Sequence, residues 1–472
     1  MNKQWGLWIL TTFVIGNMVG SGVFMLPANL SLVSSPLGTI FAWGVTGIGV
    51  LMIALVFGNL STRKPELKTG PQSYAMNLFK SEKAGKTAGY SMAWGYWAAN
   101  WAATASVIIS FAGYLSTFFP VLESKKVLMT IGSFDLEAGK LLTLIVCSVL
   151  LWGIQFIVSR NFNSSGKLNF AATAAKVIGF ALFVILTLAV FDASSVFSGT
   201  SFSDEKGHAV GLGGQVNSAA ISTLWAFVGI EAAVMLSNRA KSQKDVKKAT
   251  LLGLLVAVLI YVGITTLTMG VLPLDKLQAS QKPLVDALDM AIGSSAASIV
   301  ALLALVSLFG AAVGWIVVSS EVPYQAAKQG IFPAFFGKTN KKGAPIGSLL
   351  VTNILTQIFL FATISATISK AYNFAIVVAT LAYLIPYLVS AIYALKLVIT
   401  AETYTSAAER VRDGIITILA LVYSLWVIKT GTADLKTFFL GIGLFAVGLV
   451  IYPILMKPKN TPKTVLKERE DY

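Results

Sequence analysis

The chain has 472 residues, 56% of them hydrophobic and 12% charged; soluble domains carry roughly 25% charged residues, so this chain cannot cover a soluble surface, and its length suits about twelve membrane spans at ~20 residues each. One Cys and one His exclude a disulfide framework and a Cys/His metal cluster, and leave only His208, in a polar loop, for haem ligation; no cofactor and no metal is expected. The net charge of +15 suggests nucleic acid only until the basic residues are placed along the chain.

Apolar runs follow at 7–31, 36–60, 88–119, 141–158, 168–191, 215–237, 250–272, 296–320, 346–366, 372–395, 414–430 and 437–456. They are long and unbroken, so they read as helices; strands of a membrane barrel would alternate over about ten residues. Only Lys3 precedes the first run, which continues past residue 26 without a small-residue cleavage site, so an uncleaved anchor is expected. The polar segment 61–87 holds Gly70-Pro71 and then Tyr74-Ala75-Met76, which predicts a turn and a short interfacial helix. Its Gly85-Lys86-Thr87 ends like a phosphate-binding loop, but Lys80 stands where that loop needs its first Gly and no strand precedes it. Residues 457–472 are charged and read as a disordered tail.

Placement of the basic residues sets the orientation. Of 36 Lys and Arg, 26 lie on segments that share one side with the N-terminus, nine lie on the other side, and Lys176 lies within a run. Positive charge accumulates in cytoplasmic loops, so both termini are expected in the cytoplasm of a multi-pass protein. The same asymmetry accounts for the net charge without nucleic acid.

Two runs carry unusual interruptions. The first reads Gly16-Asn17-Met18-Val19-Gly20-Ser21-Gly22-Val23, and each Gly weakens a helix by about 1 kcal/mol relative to Ala. A break inside lipid must face protein, water or a ligand. It offers free N–H groups at a positive dipole end and free C=O groups at a negative one, which suit the carboxylate and ammonium of an amino acid. Close packing of helices through small residues reads the same segment equally well. The sixth run places Gly229 and an ionisable Glu231 near mid-span, and an intramembrane carboxylate is a functional candidate; a structural, hydrogen-bonded Glu is the alternative. Runs 1 and 6 are five helices apart, and matching interruptions at that spacing point to inverted repeats around a midplane site. In the fifth run Lys176 is too deep to reach an interface and should donate to backbone carbonyls. Trp94 and Trp97 read as interfacial anchors beside Tyr96 and Trp101. Trp225 and Trp315 lie near mid-span next to small residues, which fits a cavity wall, with core packing as the alternative.

These stretches together resemble the amino acid–polyamine–organocation transporters, in particular the basic amino acid/polyamine antiporters that include the arginine/agmatine exchangers. The matching segments are 16–30 (GNMVGSGVFMLPANL), 69–75 (TGPQSYA), 89–120 with its YWAANW core and GYLSTFFP end, 224–232 (LWAFVGIEA), Gly314-Trp315, 330–333 (GIFP) and Pro386-Tyr387. The resemblance implies an all-α membrane fold of 12 transmembrane helices. Two inverted five-helix repeats (1–195 and 196–398) would be followed by two C-terminal helices (399–456) and a cytoplasmic tail (457–472), with helices 1 and 6 broken.

The resemblance also implies site roles. Ser21 and Gly22 would bind the substrate carboxylate, Val228 the α-amine through its carbonyl, and Trp225 and Trp315 would flank the side chain. Asn17, Gly20, Ala99 and Ala226 would complete the contacts. Tyr96, Glu231 and Tyr387 would form an inner gate, and Lys176 would replace a sodium ion by holding carbonyls of spans 1 and 8. Two positions depart from the arginine exchangers: Thr104 stands for an Asn and Ala379 for a Ser, each of which contacts the guanidinium there. A shorter cation, or an aromatic amino acid and its amine, then fits as well as arginine.

The expected function is exchange of an amino acid, cationic in the first reading, for a related amine or amino acid across the bacterial inner membrane. The partners are small amino acid and amine substrates and membrane lipids, and the family suggests a homodimer. A proton-coupled symporter of the same fold, with Glu231 or Lys176 carrying the proton, is the runner-up. A channel would want a polar stripe along several spans, and no paired carboxylates or Ser/His set suggests an enzyme.

Overall fold

The structure is a computed structural model and describes residues 5–451 apart from 68–69, 132–133, 161–164, 198, 205–206, 236, 238–239, 363, 365–367, 432–438, 440–442 and 444–445. The run at 437–456 lies largely outside these residues, with 446–451 helical, and the tail 457–472 lies wholly outside them. Among the described residues, eight helices are long and apolar enough to cross a membrane.

In chain order the helices are α1 (Leu7–Met18), α2 (Gly22–Ser31), α3 (Pro36–Arg63), α4 (Pro71–Met76), α5 (Glu82–Leu115), α6 (Ala138–Arg160), α7 (Ser165–Leu188), α8 (Ala193–Phe197) and α9 (Leu212–Trp225). They continue with α10 (Ala232–Met235), α11 (Gln243–Val271), α12 (Leu274–Ala279), α13 (Pro283–Ile292), α14 (Ser294–Lys328), α15 (Ile346–Ala362), α16 (Ile368–Thr400) and α17 (Ala407–Gly431). A small antiparallel hairpin, β1 (Val127–Ile131) and β2 (Phe134–Glu137), precedes α6. Starts are encoded locally. Ser35 caps α3 by accepting from the Gly38 N–H at 3.0 Å, with Pro36 in the first turn, and Ser242 caps α11 through the Asp245 N–H at 3.1 Å. Each cap satisfies one of the backbone donors a helix start leaves unpaired.

The side-chain distribution is that of a protein solvated by lipid. On α17, Val411, Ile415, Ile418, Val422 and Leu425 are each more than half exposed, whereas Asp413, Thr417 and Ser424 are buried. Apolar residues face outward and polar ones inward, as in a membrane bundle. Asp413 is held by Arg63 at 2.7 Å, which ties α17 to the end of α3 with both charges compensated. Inside, α5 packs along α14 and α16, and α14 lies on α7. On another flank, α11 packs against α1 and α3.

The structure corrects three sequence expectations. The short helix after Gly70 is not interfacial: Pro71, Gln72, Ser73, Tyr74 and Ala75 are all buried, and Tyr74 stacks on Tyr393 of α16 at 5.7 Å. Residues 82–87, expected in that polar segment, are the first turns of α5. Trp94 and Trp97 are buried rather than at a membrane surface. They form an edge-to-face aromatic cluster with Trp101, and the Trp97 indole N–H donates to Thr352 at 2.9 Å. An indole that finds its partner inside the bundle gains nothing from an interface.

Candidate functional site

The first apolar run is broken. α1 ends at Met18 and α2 starts at Gly22, and no side chain caps the new helix start. The N–H groups at Ser21 and Gly22 therefore stand at an uncapped, positive helix end. The sixth run is broken as well: α9 ends at Trp225 and α10 begins at Ala232. Tight turns bridge the gap, with Phe227 N–H donating to Leu224, Val228 to Trp225 and Ile230 to Phe227. These turns do not use the carbonyls of Ala226 and Val228, which remain at a negative helix end.

Gly229 makes the second break possible. Its φ is +102°, and a Cβ there would lie 2.9 Å from the Asn17 Cβ and 3.2 Å from the Asn17 carbonyl carbon. The two breaks thus touch each other through a missing side chain. Gly229→Ala is expected to lower the apparent melting temperature and reduce transport at least several-fold, because both the backbone conformation and the Asn17 contact resist it. Thermal unfolding and vesicle uptake measured together would check this, and wild-type values in both would contradict it.

Side chains from two other helices hold the first break open. Lys176 of α7 is buried, and its Nζ donates to the carbonyls of Val19 and Gly16, the latter at 3.3 Å. Both acceptors lie on the first run, so the expected contribution from span 8 is not among them. Carbonyls at a helix C-terminal end are suitable partners for a buried ammonium. Tyr261 of α11 donates to the Met18 carbonyl at 2.8 Å, while its ring stacks on Trp43 at 5.3 Å.

Between the breaks lies a small gap lined by Asn17, Met18, Gly20, Ser21, Gly22, Trp225, Val228 and Trp315. Its free space is on the scale of a single water molecule, so an amino acid enters only when the two breaks move apart. The Trp225 and Trp315 rings face each other at 6.4 Å and 15°. Trp225 donates to the Tyr372 hydroxyl at 3.2 Å, and the Ser21 and Ser106 hydroxyls lie 3.1 Å apart. Next to the second break, Glu231 is fully buried, and each of its oxygens accepts one hydroxyl, from Tyr96 and from Tyr387, at 2.5 Å. A larger cavity of about 740 Å³ opens among Leu122, Lys140, Cys147, Leu360 and Ala371. Its lining carries no broken helix, and its Lys140 and Glu137 pair with each other at 2.9 Å.

Seven of the residues expected to contact substrate line the small cavity: Asn17, Gly20, Ser21, Gly22, Trp225, Val228 and Trp315. Tyr96, Ala99, Thr104, Ala226 and Ala379 are buried but lie outside its lining. Sequence reasoning missed Tyr261, Tyr372, Ser106, Asn100, Ser319 and Tyr383. For three of them a signal existed: Asn100 is an amide inside an apolar run, Ser319 lies one turn beyond Trp315, and Tyr383 one turn before Tyr387.

Comparison with known proteins gives one answer over nearly the whole chain. A family model described as "Amino acid permease" matches residues 6–455. The chain is 57% identical over 456 residues to a Bacillus subtilis (strain 168) protein provisionally named an arginine/ornithine antiporter, covering 96% of this chain and 97% of that one. It is 33% identical over 450 residues to an arginine/ornithine antiporter of Pseudomonas aeruginosa, covering 94% and 89%. It is 30% identical over 479 residues to one from Lactococcus lactis, covering 97% and 85%. The apolar helices, the two facing breaks and these matches describe a multi-pass membrane transporter rather than an enzyme, and the chain belongs to the amino acid permease family.

Proposed function

We propose that this protein exchanges arginine for ornithine, or a closely related pair of cationic amino acids, across the bacterial inner membrane by alternating access. The observation that carries this reading is the pair of facing breaks, one presenting helix N–H groups and the other helix carbonyls toward the same small gap. The names of the relatives support the substrate pair over the aromatic amino acid and amine alternative. The proposed frame has twelve helices with both termini cytoplasmic, and two inverted repeats over 1–195 and 196–398. The matching positions of the two breaks, five spans apart, support the repeats.

In this reading the substrate carboxylate is held by the N–H groups at Ser21 and Gly22, and its ammonium by the carbonyls of Ala226 and Val228. Its side chain lies between Trp225 and Trp315. The Tyr96–Glu231–Tyr387 arrangement closes the cytoplasmic side and separates when α1–α3 and α9–α11 move against α5 and α14. Exchange follows from the cost of an empty crossing. Bare N–H and C=O groups sealed in a dry site cost several kcal/mol, so the occluded state forms readily only with a zwitterion in place. A ligand shifts the states only through its differential affinity for them.

The test is counterflow in proteoliposomes loaded with labelled arginine. Efflux is expected to require external ornithine or arginine. Efflux at the same rate into buffer, or concentrative uptake into empty vesicles driven by a pH gradient alone, would replace exchange with uniport or with proton symport. A second expectation concerns the aromatic wall. Trp315→Leu should weaken arginine binding by roughly 2- to 30-fold, the range of a cation–π contact, as read by titration calorimetry; an unchanged affinity removes Trp315 from the site.

A further inference from the structure

In the proposed orientation, the cytoplasmic end of α16 and the start of α17 enclose a groove on the outer side of the bundle. α16 ends at Thr400, and Ala401 follows in the left-handed region at φ +54°. The chain turns away there and leaves the last carbonyls of α16 without helical partners. Arg410 of α17 takes two of them: its Nε donates to the Val398 carbonyl at 2.6 Å and its Nη2 to the Ile399 carbonyl at 2.9 Å. Beside this junction lies a groove with about 520 Å³ of free space. Val398, Ile415 and Ile418 form its apolar length, and Thr405, Ser406 and Arg410 its polar end. That volume is within the range of sites for organic ligands, about 300–1,000 Å³.

Charges at this end are unevenly matched. Asp413 holds Arg63 at 2.7 Å and Arg412 at 3.1 Å, Glu409 holds Arg63 at 3.3 Å, and Glu402 holds Lys64 at 2.5 Å. Among the described residues, Arg410 has no carboxylate partner. A guanidinium carries five N–H groups, and the two bonds that Arg410 makes go to neutral carbonyls. A full positive charge therefore stands at the rim of the groove. Below it runs the outer face of α17, where Val411, Ile415, Ile418, Val422 and Leu425 are each more than half exposed. A cation at one end and bare hydrocarbon along the rest is the pattern of a surface that meets an anionic amphiphile. A second copy of this chain pressed on the same face would bring no acid to Arg410. Between 411 and 425 the one carboxylate is Asp413, which is buried and already engaged by Arg63 and Arg412.

We propose that this groove binds an anionic phospholipid of the bilayer, with the lipid phosphate on Arg410 and the Thr405 and Ser406 hydroxyls, and one acyl chain along Val398, Ile415 and Ile418. A guanidinium meets phosphate oxygens in a planar, two-pronged geometry, and the hydroxyls add neutral donors beside it. A free phosphate would use the polar end and leave the apolar length uncovered. Such a site requires only that α16 and α17 cross a membrane, whatever the chain transports. The lipid would brace the connection 401–406, which touches other parts of the bundle. Tyr404 lines the groove, and the Arg63 guanidinium of α3 lies over its ring at 3.9 Å. Arg63 also donates to the Thr403 carbonyl at 3.1 Å. The bound lipid thus stands behind the contact between α3, which moves in the proposed cycle, and α16, which carries Tyr387.

The test is lipid binding by the full-length protein, delipidated in detergent and titrated with phosphatidylglycerol or phosphatidylcholine, with bound lipid counted by native mass spectrometry. Wild-type protein is expected to hold one phosphatidylglycerol more tightly than phosphatidylcholine. Arg410→Gln should shrink that preference roughly five- to hundredfold, from the effect of a cation at a membrane surface to that of a hydrogen bond to a charged group. The ratio is taken within one variant, so partial loss of folded protein cancels. Arg412→Gln removes the same charge from outside the groove lining and should leave the preference unchanged. An unchanged preference in Arg410→Gln, or an equal loss in Arg412→Gln, overturns the site. Should Arg410→Gln not fold, Thr405→Ala combined with Ser406→Ala leaves the Arg410 bonds to α16 in place and should still cost at least about twofold; no loss there overturns the site as well. Glycerol 1-phosphate, which has the headgroup chemistry and no chain, should not displace the lipid at equal concentration. Displacement would make this a site for soluble phosphate. Dimers that carry no phosphatidylglycerol while monomers carry it would give the face to a second copy. Either result overturns the lipid assignment.

Discussion

Replacing Lys176 by alanine is expected to lower the counterflow rate by roughly a hundredfold. The Lys176 ammonium is the partner of the Gly16 and Val19 carbonyls, and both lie where α1 gives way to the break. Each buried carbonyl left without a donor costs about 1–3 kcal/mol. The chain can recover that cost by rewinding the segment into a continuous helix or by admitting water, and either route depopulates the conformation that presents the Ser21 and Gly22 N–H groups. Apparent affinity falls in proportion to the population that can still bind. Lys176→Met keeps the volume and loses the charge, so it should be as inactive as alanine. Initial rates at matched amounts of reconstituted protein decide the matter. Wild-type rates in either variant would show that the ammonium does not support the break.

Glu231→Ala is expected to have the next largest effect, slowing exchange by about tenfold to a hundredfold. The substitution strands two buried hydroxyls at once, Tyr96 on α5 and Tyr387 on α16, at about 1–3 kcal/mol each. It also removes the hydrogen bonds that tie the second break to α5 and α16. Glu231→Gln separates hydrogen bonding from charge, because an amide can accept from one tyrosine and donate to the oxygen of the other. If linkage alone matters, Gln should retain most of the rate. If Gln is as slow as Ala, the charge itself is used in the cycle. Wild-type exchange by the Ala variant would remove the gate from the mechanism.

Parts of this arrangement are legible in one dimension because they are local. Gly20, Ser21 and Gly22, and later Gly229 and Glu231, interrupt runs that lipid would otherwise keep helical, so the breaks can be located without coordinates. An ionisable Lys176 within an apolar run announces a partner, but its acceptors lie about 160 residues away and carry no side-chain signature, because they are backbone carbonyls. The same holds for Tyr261, whose hydroxyl finds the Met18 carbonyl; nothing in α11 distinguishes it from a packing residue. Hydropathy also misjudged places where the bundle itself solvates polar atoms. Trp94 and Trp97 looked like interface anchors because indoles often sit there, but both are buried, and Thr352 supplies Trp97 with the partner that water would have supplied. The helix after Gly70 looked superficial because of its polar flanks, yet its Tyr74 is held inside by Tyr393.

The claim beneath the whole account is that the Ser21 and Gly22 N–H groups and the Ala226 and Val228 carbonyls grip the α-carboxylate and α-ammonium of the substrate. The most direct measurement compares calorimetric binding of arginine with that of Nα-acetyl-arginine and arginine methyl ester, which keep the side chain and alter one α-group each. The account predicts that arginine binds and that both derivatives lose at least about tenfold in affinity, as expected when a charge-assisted hydrogen bond is removed. Derivatives that bind as tightly as arginine would contradict it.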